Sequence, residues 1–229
     1  MPAALPAIVL VALLVHVSAL QEVLNVTVTV ECGGSARRRS QAFGATHDQL
    51  SSAGSTADMS CTILPGIQPD GFAWGQFRDT ILEDGWSHLE IWTAEDAQAR
   101  RLAASGQCQD PRMAAAFAVG CVEGALTQGR VYQMVTNAKA NMFPGGSLPF
   151  AAQAYLGVQV ASVRAGIATH YQPSKPKSSR QAEGSSTASA FWSGMAVLMA
   201  HFDGLAFAYN ATAPMGQNVS ALDLYAVSR

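Results

Sequence analysis

The sequence predicts an α+β fold, and three observations predict it. "LNVTVTVEC" (residues 24–32) alternates apolar and polar residues, the period of a half-buried strand. "GFAWGQFRDTILEDGWSHLEIWTAED" holds two further β-type runs, separated by the turn signal Glu83-Asp84-Gly85. Beyond Pro111, Ala114, Phe117, Ala118, Cys121, Val122, Ala125 and Leu126 recur at helical spacing as an apolar stripe. Strands gather first and helices follow. A chain of 229 residues that is 49% hydrophobic can build one sizeable core, on the scale of a single domain.

Each element has its own grounds. In the first strand Leu24, Val26, Val28 and Val30 share one face, while Asn25, Thr27, Thr29 and Glu31 share the other, wet face. "MSCTIL" is a second short strand, ended by Pro65-Gly66. In the last β-type run Leu89 and Ile91 share a face opposite His88, Glu90 and Trp92. Asp110-Pro111 starts the helix, with a capping acceptor followed by a proline at the first helical position. Gly120 and Gly124 lie one helical turn apart and leave a groove that another backbone can enter. A further helix is expected from about 150 to 169, with Tyr155, Val158 and Ser162 on one side. The Pro/Ser/Lys-rich stretch 171–190 has no apolar face and reads as a flexible linker. Beyond it, "WSGMAVLMAHFDGLAFAYN" reads as a β-hairpin turning at Asp203-Gly204. Phe72, Trp74, Trp86 and Trp92 read as core rather than as a ligand platform.

Composition narrows the function classes. A net charge of −2 gives no electrostatic footprint for nucleic acid, and the one basic cluster, Arg37-Arg38-Arg39, reads as a solvated loop. Residues 1–19 form an uncharged apolar run closing on Val17 and Ala19, the pattern of a secretory signal peptide. The run is too short for a membrane-spanning anchor. Four cysteines, Cys32, Cys61, Cys108 and Cys121, suit an oxidising compartment, and their pairing is open. Three N-x-[ST] triplets place candidate glycans on Asn25, Asn210 and Asn218. Secretion or delivery to the lysosome is the expectation. No C-x-x-C, H-E-x-x-H, P-loop, G-x-S-x-G or G-x-G-x-x-G occurs, so neither a metal nor a cofactor is expected.

"RDTILEDGWSHLEIWT" followed by "AAFAVGCVEGALTQGRVYQMVTN" resembles the phospholipase B-like family. The family shows D-x-I-x-x-x-G-W-x-x-L-E-I-x-T, then a helix of the form A-A-G-x-x-E-G-x-L-T, with a tyrosine and an asparagine beyond. Asp79, Gly85, Trp86, Leu89, Glu90, Ile91, Thr93, Gly120, Glu123, Gly124, Leu126, Thr127, Tyr132 and Asn137 fall at matching positions. "AYLGVQVASVRAGIATHY" is similar to the family's next helix, so the resemblance covers about residues 70–210. It implies part of a four-layer αββα N-terminal nucleophile hydrolase: residues 20–170 form its N-terminal α+β part, and 191–229 begin the hairpin that carries the nucleophile. Family members are much longer, so the resemblance reads this chain as short at its C-terminal end. It also implies a hydrolase of ester or amide bonds in lipid-like or acyl-amide substrates.

That chemistry needs a cut that frees the nucleophile's own α-amine as its base. Matching "FAYN" (207–210) to the family's second strand puts the expected cysteine at Trp192, and the family's following serine at Ser193. Trp192 cannot act as a nucleophile. Ser193 is the candidate catalytic residue, although it would need a cut one residue later and would then face the other side of a strand. An ordinary strand serine is the commoner explanation. The family histidine falls on Tyr209 and its tryptophan on Thr212. His201 with Asp203, and His88 with Glu90, are same-face pairs of the kind that can form dyads, although structural contacts explain both more simply. The alternative to a hydrolase is a secreted, non-catalytic glycoprotein that keeps the family's helical layer for binding or structure.

Overall fold

The computed structural model describes residues 23–32, 59–68, 71–94, 110–143, 145–171 and 187–227. The expected signal peptide, Arg37-Arg38-Arg39, Cys108 and most of the expected linker lie outside them. Four strands, β1 (Val23–Cys32), β2 (Met59–Pro65), β3 (Ala73–Asp79) and β4 (Ser87–Thr93), form one antiparallel sheet in the order β2-β1-β3-β4. A one-turn helix α1 (Ile81–Asp84) joins β3 to β4, and Gly85 closes it at φ +85°, a conformation that favours glycine. The remaining helices are α2 (Pro111–Leu126), α3 (Gln128–Met142), α4 (Phe150–His170), α5 (Thr187–Thr212) and α6 (Ala221–Val227). The fold is α+β, with one sheet and no second sheet among the described residues.

The main core lies between the sheet and α2. Val26, Val28 and Val30 of β1, Cys61 and Ile63 of β2, Ala73 and Phe77 of β3 and Ile91 of β4 meet Phe117, Ala118, Cys121, Val122 and Leu126. These are the alternating face of β1 and the helical stripe of α2, so both periodicities are borne out. A Cys61–Cys121 disulfide fastens β2 to α2, and Cys32 is disulfide-bonded as well. The α2 start is as expected: Asp110 accepts a hydrogen bond from the Arg112 N–H at 2.8 Å, with Pro111 at the first helical position.

Thr27 departs from its expected wet face. It is fully buried, because its hydroxyl donates to the Gly66 carbonyl (2.7 Å) and accepts from the Gln68 N–H (2.8 Å), and these bonds satisfy it beneath the turn after β2.

The largest correction falls on residues 192–210. They form no hairpin; they belong to the 26-residue helix α5, which also takes in the last residues, 187–190, of the expected linker. The stretch is rich in alanine, leucine and methionine, and Val197 is its only β-branched apolar residue, so its propensity is helical. Asp203-Gly204 turns nothing. Asp203 forms a bidentate pair with Arg164 of α4 (2.6 and 3.1 Å), and Gly204 is where α5 crosses α2. An apolar run of this kind does not reveal its period, because apolar residues such as Phe191 and Leu198 also stand on its exposed side.

The crossing uses the groove that Gly120 and Gly124 leave. A Cβ at Gly120 would stand 1.9 Å from the His201 carbonyl oxygen, and one at Gly124 would stand 2.3 Å from that of Leu205. A Cβ at Gly204 would stand 2.0 Å from the Phe117 carbonyl oxygen. The two backbones therefore touch, and all three positions require glycine. Helix α4 packs on α5 through Val160, Ile167, Ala196 and Met199, with Trp192 lying against Gly166. The expected side of α4 carrying Tyr155, Val158 and Ser162 is its exposed side. Helices α3 and α6 close the other end of α5 around Val135, Tyr209, Val219 and Leu224.

Candidate functional site

Pattern residues Asp79 and Glu90, with Arg78, Asp84 and His88 beside them, build a corner between β3 and β4. Asp79 at the end of β3 pairs with Arg130 and accepts from the Ser87 hydroxyl at 3.2 Å. Asp84 accepts from the Trp86 N–H (3.0 Å) and pairs with His88 (2.8 Å), while Arg78 pairs with Glu90 (3.0 Å). Hydrogen bonds, that from His88 foremost, hold the Asp84 carboxyl below its ordinary range. His88 and Glu90 share a face as expected, but each is paired elsewhere and they form no dyad. Phe72 is core, whereas Trp86 and Trp92 are 72% and 41% exposed. Those two were expected inside; Trp92 lies opposite Trp74 across the β3–β4 pair and is not among the residues packed against α2.

Three polar clusters sit among the helices. Asp110, nearly buried, accepts from Arg112 and from the Tyr171 hydroxyl, tying the start of α2 to the end of α4. Burial pushes its carboxyl up, but the bonds from Tyr171 and Arg112 outweigh that and hold it below the usual range. The Tyr171 hydroxyl is pushed well above its ordinary value, by burial first and then by donating to Asp110. Arg164 and Asp203 join α4 to α5. His201 of α5 pairs with Glu123 of α2 at 2.7 Å, beside the Gly120 crossing.

The His201–Glu123 pair is the nearest thing to an acid–base element. It is a half-buried imidazole oriented by a carboxylate that belongs to the family pattern. Sequence reasoning gave His201 the wrong partner, since a strand would have put it beside Asp203, whereas a helix sends the two to opposite sides. The available signal was Glu123 flanking the Gly120/Gly124 groove, which marks it as facing the crossing element. No hydroxyl or thiol is hydrogen-bonded to His201 among the described residues, and Cys61 and Cys121 are consumed in their disulfide.

Trp192 and Ser193 lie inside α5 and not at the start of a strand. Trp192 stacks on His170 (5.5 Å between centroids) and meets Phe191 edge-on. Ser193 is half-buried on the same helix. Tyr209, at the position of the family histidine, is fully buried and donates to the Gln217 carbonyl at 2.7 Å. Thr212 donates back to the Ala208 carbonyl. Among the acceptor asparagines, Asn25 is half-buried with its Oδ1 on Gln76, Asn210 is half-buried, and Asn218 is exposed. No group of three or more His, Cys, Asp or Glu able to hold a metal occurs among the described residues.

Helix α5 contains the one described segment, Ser189–Thr212, long and apolar enough to cross a membrane. Its Asp203 is ion-paired to α4, its His201 is hydrogen-bonded to α2 and its Gly204 lies against α2, while 22% of its apolar stretch is buried.

The profile described as phospholipase B matches residues 73–228, from β3 through α6. The chain belongs to the phospholipase B family. No curated protein matches it.

Proposed function

We propose that the chain has a phospholipase B-like function, the transfer of an acyl group from an ester or amide of a lipid-like substrate to water. The observation that carries this reading is the family match over residues 73–228. The proposed setting is the secretory route, ending outside the cell or in the lysosome. The apolar run at residues 1–19 and the Cys61–Cys121 disulfide support it. No nucleic acid, membrane anchor or cofactor has a part in the proposal.

Ser193 could serve as nucleophile only as a new amino terminus, its α-amine taking the hydroxyl proton. That would require cutting α5 between Trp192 and Ser193. A second reading, a secreted non-catalytic module, is favoured by one observation: both candidate positions lie within an intact helix packed on α4. The test is acid release from phospholipid vesicles and from an N-acyl amide, by the purified secreted protein and by Ser193→Ala. Turnover that Ser193→Ala abolishes assigns the nucleophile. Turnover that survives keeps the hydrolase and removes Ser193 from it. No turnover from the folded protein establishes the non-catalytic reading.

A further inference from the structure

We propose that, of the two glycan-acceptor triplets flanking the connection from α5 to α6, Asn218 carries an N-linked glycan and Asn210 does not. Asn210 is instead the hydrogen-bond hub that folds this connection. The proposal rests on passage through the secretory route.

Asn210 sits in the last turn of α5, and both ends of its amide are engaged. Its Nδ2 donates to the Ala206 carbonyl and to the Val219 carbonyl, each at 3.0 Å. Its Oδ1 accepts from the Val219 N–H at 3.0 Å. One side-chain amide thus pairs with both backbone groups of Val219, as a neighbouring strand would. Val219 is thereby held in the cluster with Val135, Tyr209 and Leu224, and the Tyr209 hydroxyl fastens the same segment at Gln217.

N-glycosylation joins C1 of a sugar to Nδ2. The oligosaccharide comes from a lipid-linked diphosphate donor: the C1–Nδ2 bond forms, the C1–O bond to the diphosphate breaks, and the lipid diphosphate departs. One Nδ2 proton passes to solvent. A glycosylated Asn210 would keep a single N–H for two acceptors, and its sugar would occupy the place of one of them. The Ala206 carbonyl also lies within the helical ladder of α5, so the loss matters most at the carbonyl of buried Val219.

Asn218 is placed oppositely. It is exposed, and its Nδ2 makes only two long contacts, 3.4 Å to the Asn210 carbonyl and 3.3 Å to Asn210 Oδ1. Ser220, which completes its triplet, is exposed as well and starts α6 by accepting from the Asp223 N–H. A glycan on Asn218 gives up two weak bonds and leaves the hub intact.

The test expresses the full chain behind a supplied secretion leader in a eukaryotic host, so that the result does not depend on residues 1–19. Glycans on the secreted protein are released enzymatically in heavy-oxygen water, which marks each formerly occupied asparagine as a labelled aspartate, and the peptides are read by mass spectrometry. The expected result is label at Asn218 and none at Asn210. Asn218→Gln should remove one glycan from the intact mass. Thr212→Ala, which destroys the Asn210 triplet but keeps Asn210, should remove none. Label at Asn210, a glycan lost in Thr212→Ala, or no label at Asn218 would each overturn the proposal.

Discussion

The α2–α5 crossing and the β3–α1–β4 corner both hold residues of the family pattern, and they are built by opposite means. At the crossing, Gly120 and Gly124 admit a second backbone so closely that a methyl group has no room. At the corner, Asp79 with Arg130 and Arg78 with Glu90 form ion pairs, and Asp84 is hydrogen-bonded to His88, all with side chains close to half exposed. Steric exclusion at a buried crossing is not weakened by water or salt, whereas exposed pairs are screened by both. Pattern residues can therefore be indispensable at one place and replaceable at the other.

Substitutions can break or sharpen that contrast. Gly120→Val should have the largest effect, because a side chain there must push α5 off α2 at the His201 carbonyl. A loss of about 3 kcal/mol is expected by urea unfolding; a loss within about 0.5 kcal/mol would mean that the crossing is looser than described. Asp110→Ala removes both a cap and the partner of Tyr171, and about 2 kcal/mol should go.

The Asp110 contribution has a defined pH dependence. Its folded pKa is depressed, so the stabilisation is full above the unfolded carboxyl value of about 3.9 and is lost as pH falls through the lower folded value. Thermal melts of Asp110→Ala should accordingly approach those of the parent as pH drops below about 4.

At the corner, Gly85→Ala should lower stability by about 1 kcal/mol, since its φ of +85° strains any residue with a Cβ. Glu123→Gln, at a hydrogen-bonded pair about one-third exposed, should lower stability by about 0.5–1 kcal/mol. Glu90→Gln should change the melting midpoint least, by an amount equivalent to at most about 0.5 kcal/mol. A Glu90 effect that matched Gly120→Val would collapse the distinction between the two regions.

How much was legible follows the same division. The alternation in β1, the stripe of α2 and the Gly120/Gly124 groove each state one periodicity or one steric fact, and each could be read directly. What occupied the groove could not be read, because that depends on a segment more than seventy residues away. That segment, α5, was misread since it is apolar on several faces and carries Asp203-Gly204, a strong local turn signal overridden by the Arg164 pair and the α2 contact. The His201–Glu123 pair was lost with it. Thr27 was missed for a different reason: its burial comes from the turn at 66–68, which the strand pattern does not contain.

The central claim is that residues 187–212 are one continuous helix seated on α2, and not a linker followed by a nucleophile-bearing strand. Amino-terminal sequencing combined with intact mass of the secreted protein tests it most directly. The account predicts a chain uncut between Trp192 and Ser193. A mature chain beginning at Ser193 would contradict it.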